Sequence, residues 1–243
     1  MDPKGKVALI TGGARIGQVV AQALAARGCA LAMLYRSSRD AAERTVAAAR
    51  NEGVEAIAIQ ADATNEAQVA AAVAETRQNF GRLDILINMA STYVKTPAPS
   101  AKDWSLAMDS NATSAFMFSV QAAPVMKAGG GGRIINFTDW LAVSRRARYH
   151  DYVPYYSSKA AVIGLTESLA LDLAPDILVN AIAPGPILPP PDLTPAEHNR
   201  VIAATPLARW GGGEEIAKAV LFLIETEFVT GECIRVDGGR HLS

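Results

Sequence analysis

The chain has 243 residues, 50% hydrophobic and 19% charged, with a formal net charge of -1. Such a length buries a substantial core, and the near-neutral balance removes any general electrostatic case for nucleic acid or acidic membranes. Its two cysteines, Cys29 and Cys233, lack metal-ligand spacing and read as reduced buried thiols. No metal is expected, and with no signal-peptide layout at the N-terminus the expectation is a cytoplasmic protein.

Short aliphatic runs alternate with Ala-rich helical patterns from end to end. The runs predict strands at 6–10, 30–35, 54–60, 85–88, 133–137, 178–181 and 233–236. Helices are predicted at 17–27, 39–51, 66–80, 102–127, 155–173 and 214–224. Uncharged strands alternating with helices imply an α/β fold, a parallel sheet covered on both faces. The uncharged stretch 110–126 contains Asn111, Thr113, Gln121 and Pro124, so it reads as a buried helix and not as a membrane span.

The first strand leads into Thr11, Gly12, Gly13, Ala14, Arg15, Ile16 and Gly17, and then a helix. Glycines in that place let the backbone approach a pyrophosphate, whose charge is favoured at a helix N-terminus. The second strand ends in Tyr35, Arg36, Ser37 and Ser38, with no acid to accept from a ribose 2′-hydroxyl. Arg36 and Ser37 offer the donors a 2′-phosphate wants, with Arg15 as a further cation, and this favours NADP(H) over NAD(H). Farther on, Tyr155 and Lys159 lie one helical turn apart on one face. An ammonium beside a phenol favours the phenolate; lowering a pKa of about 10 by about 3 units takes roughly 4 kcal/mol. The proline-rich segment 184–195 follows a strand end, where it is either a lid over a ligand or a surface crossover.

These residues together resemble the short-chain dehydrogenase/reductase family from about Lys6 to the C-terminus. The resemblance implies one Rossmann-type, doubly wound domain over 1–243 with a seven-stranded sheet. It places a nucleotide-binding half at about 1–95, a catalytic half at about 96–243 and a lid at about 184–210. It further implies adenine contacts at Asp62 and Ala63, cofactor contacts at Asn88, Met89, Ala90, Pro184 and Gly185, and a proton-relay water held by Asn111. Tyr155 would donate the proton, and Lys159 would tune it and hold the nicotinamide ribose.

A narrower resemblance follows from the departures. Asp139 stands where the family usually has Ser; Asn88-Met-Ala-Ser91 is followed by Thr92 and Tyr93, and the chain ends Val236-Asp-Gly-Gly-Arg-His-Leu-Ser243. The glycine loop is shorter than the pattern, and the segment from Asp139 to Tyr155 is longer, with Ser144 as a fallback partner and a basic loop over 144–151. These features look like pteridine reductases and the bacterial dihydromonapterin/dihydrofolate reductases. That likeness implies hydride transfer from NADPH to a C=N bond of a pterin or dihydrofolate, in a pocket of Arg15, Ser91, Tyr93, Asp139 and Tyr155. Tyr93 would stack on the ring or serve the core. The alternatives are an NADPH-dependent 3-oxoacyl-type carbonyl reductase and a non-catalytic NADP(H)-binding regulator. The resemblance also implies a homotetramer whose tail, Arg240 to Ser243, completes a neighbouring site.

Overall fold

Seven short parallel strands form the centre of the molecule, in the spatial order β3-β2-β1-β4-β5-β6-β7. They are β1 (Val7–Thr11), β2 (Ala30–Tyr35), β3 (Ala56–Gln60), β4 (Ile85–Asn88), β5 (Gly132–Phe137), β6 (Ile177–Pro184) and β7 (Cys233–Val236). The computed structural model describes residues 1–12, 14–145 and 149–243; Gly13 and the part of the basic loop at 146–148 lie outside the described residues. Every residue of β1, β4 and β5 is buried, as expected of strands with a helical layer on each side.

One face of the sheet packs α1 (Ile16–Ala25), α2 (Arg39–Asn51) and α9 (Gly213–Glu225) through Val20, Leu24, Val46, Val220 and Leu223. The other packs α3 (Glu66–Phe80), α5 (Ser114–Ala128) and α7 (Val153–Leu173) through Val69, Phe118, Met126 and Leu169. Leu9, Leu86 and Ile134 are fully buried on the second face, each contributing about 1.5–3 kcal/mol of transfer free energy. Two local signals set helix boundaries: Asn65 caps α3 by accepting from Gln68, and Gly81 closes it in the left-handed conformation. Burial pushes both free thiols, Cys29 and Cys233, up to about 12, so neither is a reactive thiolate at neutral pH.

The helix expected at 102–127 is three pieces. A capping box at Ser100 and Asp103 starts α4 (Ala101–Met108), a π-helical turn follows at Asp109–Thr113, and α5 continues from it. Two helices were not anticipated: α6 (Trp140–Ser144), capped by Asp139, and α8 (Pro195–Ala203), capped by Thr194 with Glu197. Both caps are visible in the sequence, but neither segment is long enough to show a helical period.

Strand order reverses at β1, which pairs β2 on one side and β4 on the other. The pairing of Thr11 with Asn88 brings the carboxyl ends of β1 and β4 level, and the crevice at such a switch point is where open parallel sheets bind ligands. Among the described residues, no helix is long and apolar enough to cross a membrane.

Candidate active site

The crevice opens into two cavities that share Gly12, Ala14, Met89 and Ser91. The smaller, about 250 Å³, runs outward past Arg36, Ser37, Asp62 and Ala63. The larger, about 560 Å³, is lined by Arg15, Tyr93, Asp139, Tyr155, Lys159 and Gly185, among others.

The narrowest point is the glycine turn. Gly12 has φ +71°, and a Cβ there would lie 2.6 Å from both the backbone N and Cα of Ala90. Thr11 fixes this approach, its hydroxyl accepting from the amides of Met89 and Ala90 at 3.1 Å each. Thr11 was not among the expected site residues, although it stands first in the turn. Arg15 also has positive φ, 59°, and donates to the carbonyl of Pro189 at 2.6 Å, tying the turn to the proline-rich segment. Its side chain therefore belongs to the larger cavity, while Arg36 lines the smaller. Ile16 and Gly17 open α1, and a Cβ on Gly17 would lie only 3.4 Å from the Gly12 carbonyl oxygen. Bare backbone at Gly12, the Arg36 guanidinium and the Ser37 and Ser38 side chains along one cleft suit a phosphate-rich dinucleotide. Asp62 accepts from the amide and hydroxyl of Thr64, which hold its carboxyl below the usual range and keep it ionised.

At the inner end, β5 delivers Asp139 and α7 delivers Tyr155 and Lys159. Asp139 caps α6, accepting from the Leu141 amide at 2.8 Å, and accepts from the Tyr155 hydroxyl at 2.8 Å. Lys159, 3% exposed, donates to the Phe137 carbonyl at 2.9 Å. The Thr138 hydroxyl donates to the Lys159 carbonyl at 2.6 Å and braces β5 against α7. Burial lowers the Lys159 ammonium to about 8, against the pull of Asp139. Burial raises Asp139 above the usual carboxylate range, opposed by its hydrogen bonds and by Lys159.

Tyr155 is raised well above its ordinary value, first by burial and then by the Asp139 charge. This corrects the expectation that Lys159 makes the phenol more acidic. The phenol's nearest charged partner is the carboxylate, and the ammonium points to the Phe137 carbonyl. Ionising Tyr155 becomes easier only when Asp139 is neutral.

Asn111 sits in the π-helical turn and is buried. Its side chain accepts from the Thr92 amide at 2.7 Å and donates to the Thr92 carbonyl at 3.2 Å and the Ser158 hydroxyl at 2.8 Å. Both amide donors are engaged, so the side chain positions the loop carrying Ser91 and Tyr93. Asn88 likewise turns its side chain inward, donating to Asn136 at 2.9 Å and Ser119 at 3.3 Å. Only its backbone adjoins the cleft, through Met89. Ser144, the fallback partner, donates to the Trp140 carbonyl at 2.5 Å one turn back and makes no bond to Tyr155. Gly185 packs against Asp237, whose Cβ a side chain at 185 would meet at 2.5 Å, with Pro184 ending β6 beside it.

Tyr93 is 58% exposed and so is no core residue. It stacks on Tyr152 at 4.8 Å and 17°, and meets Tyr155 edge-on at 4.8 Å. Tyr149 adds an edge contact to Tyr152 at 6.2 Å. Tyr149 and Tyr152 were missed because they fall in the irregular segment before α7. In the tail, Arg240 lines the larger cavity of its own chain, and its guanidinium donates to the Ala204 carbonyl.

A family model described as enoyl-(acyl carrier protein) reductase matches residues 13–241. The 3-oxoacyl-[acyl-carrier-protein] reductase of Synechocystis sp. is 36% identical over 242 residues, covering 96% of each chain. The solved short-chain dehydrogenase/reductase of Serratia marcescens has a TM-score of 0.91 at 33% identity, covering 99% of this chain and 100% of its own. A 7α-hydroxysteroid dehydrogenase solved with NADH and an oxo-steroid also has a TM-score of 0.91 at 33% identity, over 97% of this chain and 94% of that one. The Synechocystis reductase and the hydroxysteroid dehydrogenase are named for carbonyl chemistry, which turns the reading away from pteridine reductases.

Proposed function

Because the chain belongs to the short-chain dehydrogenase/reductase family, an oxidoreductase family served by a nicotinamide cofactor, we propose that it is an NADPH-dependent carbonyl reductase of the 3-oxoacyl type. The observation that carries this is the Tyr155 hydroxyl 2.8 Å from Asp139, in a cavity continuous with the glycine-turn cleft. The likeness in sequence to a 3-oxoacyl reductase supports the choice of a carbonyl over a ring imine.

The cofactor, when bound, supplies hydride to the carbonyl carbon. The chain's residues have to manage the proton and the charge on the carbonyl oxygen. A carboxylate facing that oxygen would repel it, whereas a neutral carboxyl donates to it. Burial raises Asp139 toward its neutral form, and in that form its carboxyl would take the donor place that a Ser hydroxyl holds in most of the family. Tyr155 then donates its proton to the substrate oxygen, and the resulting phenolate takes a proton back from solvent after product leaves, restoring the 2.8 Å bond to Asp139. Lys159, charged below pH about 8, lowers the cost of the transient phenolate from within the same buried cluster. Two of its three N–H donors remain for the ribose hydroxyls. Arg36 and Ser37 select the 2′-phosphate; a relative solved with NADH shows that the fold alone does not choose.

Asp139 favours a second reading. An ionised carboxylate accepts from ring N–H and amino groups, as a dihydropterin would require, and the exposed Tyr93 face offers a stacking surface. The two readings separate on Asp139→Ser. Oxidation of NADPH is followed with oxoacyl thioesters and with dihydropterins. A carbonyl reductase keeps or gains thioester activity in the Asp139→Ser variant and loses the pH dependence set by the carboxyl. An unmodified protein that turns over dihydropterins and ignores every oxoacyl thioester would overturn the carbonyl reading. The homotetramer expected from the family resemblance is part of this proposal, and light scattering of the purified protein tests it.

A further inference from the structure

The larger cavity holds more positive charge than the proton-transfer chemistry needs. Besides Lys159, it is lined by the guanidinium groups of Arg15 and Arg240, and among the described residues Asp139 is the one acid in its lining. Neither arginine forms an ion pair among the described residues. Each is instead pinned by a backbone carbonyl, Arg15 by Pro189 and Arg240 by Ala204, which fixes the group in place without neutralising it.

Arg240 is also set by its own turn. Asp237, 5% exposed, accepts from the amides of Gly239 and His241 at 3.0 Å each and lies 2.7 Å from the His241 ring nitrogen. That carboxylate thus organises the 3-10 turn Arg240–Leu242 and is not bonded to Arg240. The guanidinium carbon lies 5.9 Å from the centroid of the Trp140 ring, beside α6. A planar cation held on an aromatic face, with most of its five N–H donors uncommitted among the described residues, is arranged for a carboxylate or phosphate. Ile187, Leu188, Pro190 and Val201 give the same cavity an apolar wall.

We infer that the substrate carries an anionic group, a carboxylate or phosphate, on an apolar stem away from its reducible carbonyl, and that Arg240 is the specificity-determining residue that holds it. This rests on the reductase reading for the identity of the reducible end only. Asp139, the one acid in that lining among the described residues, accepts from Leu141 and Tyr155 at the reducible end.

The test is a calorimetric titration of the NADP-saturated protein with hexanoate, hexyl phosphate and hexanamide, three probes that share a stem and cannot be reduced. At least one anionic probe should bind about 10-fold tighter than the amide, as a charge-assisted bond to a fixed guanidinium provides. Which anion binds better separates carboxylate from phosphate. Arg240→Gln should remove the preference, and Arg240→Lys, which keeps the charge but not the fork, should restore part of it. Equal affinity for amide and anions in the unmodified protein, no binding of any probe, or an undiminished preference in Arg240→Gln would overturn the inference. A failure to reduce any carbonyl compound would instead count against the reductase reading and leave this binding result standing.

Discussion

Lys159 should make the folded protein less stable than a version without it. The ammonium is 3% exposed and its value falls from 10.5 to about 8. A difference of that size between folded and unfolded states corresponds to about 3 kcal/mol, at about 1.36 kcal/mol per unit. The sign follows from proton counts. Between pH about 8 and 10.5 the unfolded chain holds the Lys proton and the folded chain does not, so stability rises with pH there. Below about 8 both states are protonated and the full penalty is present. Lys159→Met keeps the stem and removes the charge; it also loses the bond to the Phe137 carbonyl, which costs about 1 kcal/mol. The variant should therefore gain about 1–2 kcal/mol over the unmodified protein at pH 7, and the gain should shrink as pH rises past about 8. Urea unfolding of both proteins at a series of pH values measures this, and using the difference cancels groups common to the two. A variant that is less stable at pH 7, or a difference independent of pH, would refute the argument that burial dominates at Lys159. Activity should be lost in the same variant, which would make this lysine a site where function is retained at the expense of stability.

Three further outcomes follow from the geometry. Arg36→Gln should weaken NADPH binding by about 1–3 kcal/mol and leave NADH binding nearly unchanged, measured by cofactor titration, because the lost donor meets only the 2′-phosphate. Tyr155→Phe should lower kcat about 100-fold or more with cofactor affinity retained, since it removes the proton donor while the packing of Tyr93 on that ring survives. Gly12→Ala should abolish cofactor binding and lower the melting temperature, because its Cβ would sit 2.6 Å from Ala90 backbone atoms at φ +71°; a variant that binds NADPH normally would show that the turn can open.

Much of the architecture was legible in the residues themselves. Each predicted strand has a counterpart within a few positions, because buried parallel strands are built mainly from short aliphatic runs and few other segments are. The glycine turn was legible for a related reason: a backbone that passes 2.6 Å from where a Cβ would sit admits only glycine. Tyr155 and Lys159 share a helix, so their spacing along the chain is already their spacing in space. Asp139, on a different element, could be placed beside them only through the family pattern, and the fold brings it to 2.8 Å from the Tyr155 hydroxyl.

The rest was decided by tertiary contact. The pairing of β5 with β6 and the cap of α6 place the Asp139 carboxyl, and that contact reverses the expected shift of Tyr155. No spacing rule states which charged neighbour a phenol will meet first. Asn111 and Asn88 carry side chains whose sequence context suggests ligand contacts, yet each turns its amide donors to groups far away in sequence, Thr92 and Ser158 for one, Asn136 and Ser119 for the other. Arg240 shows the same separation. The resemblance implied a tail that completes a neighbouring site, and it is the return of the chain past Ala204 and Trp140 that brings the Arg240 charge into the cavity of its own chain. Composition and periodicity settle which residues are buried and in what kind of element, because those are local properties of the chain. Charge pairing depends on distances between elements, and those exist only once the sheet has formed.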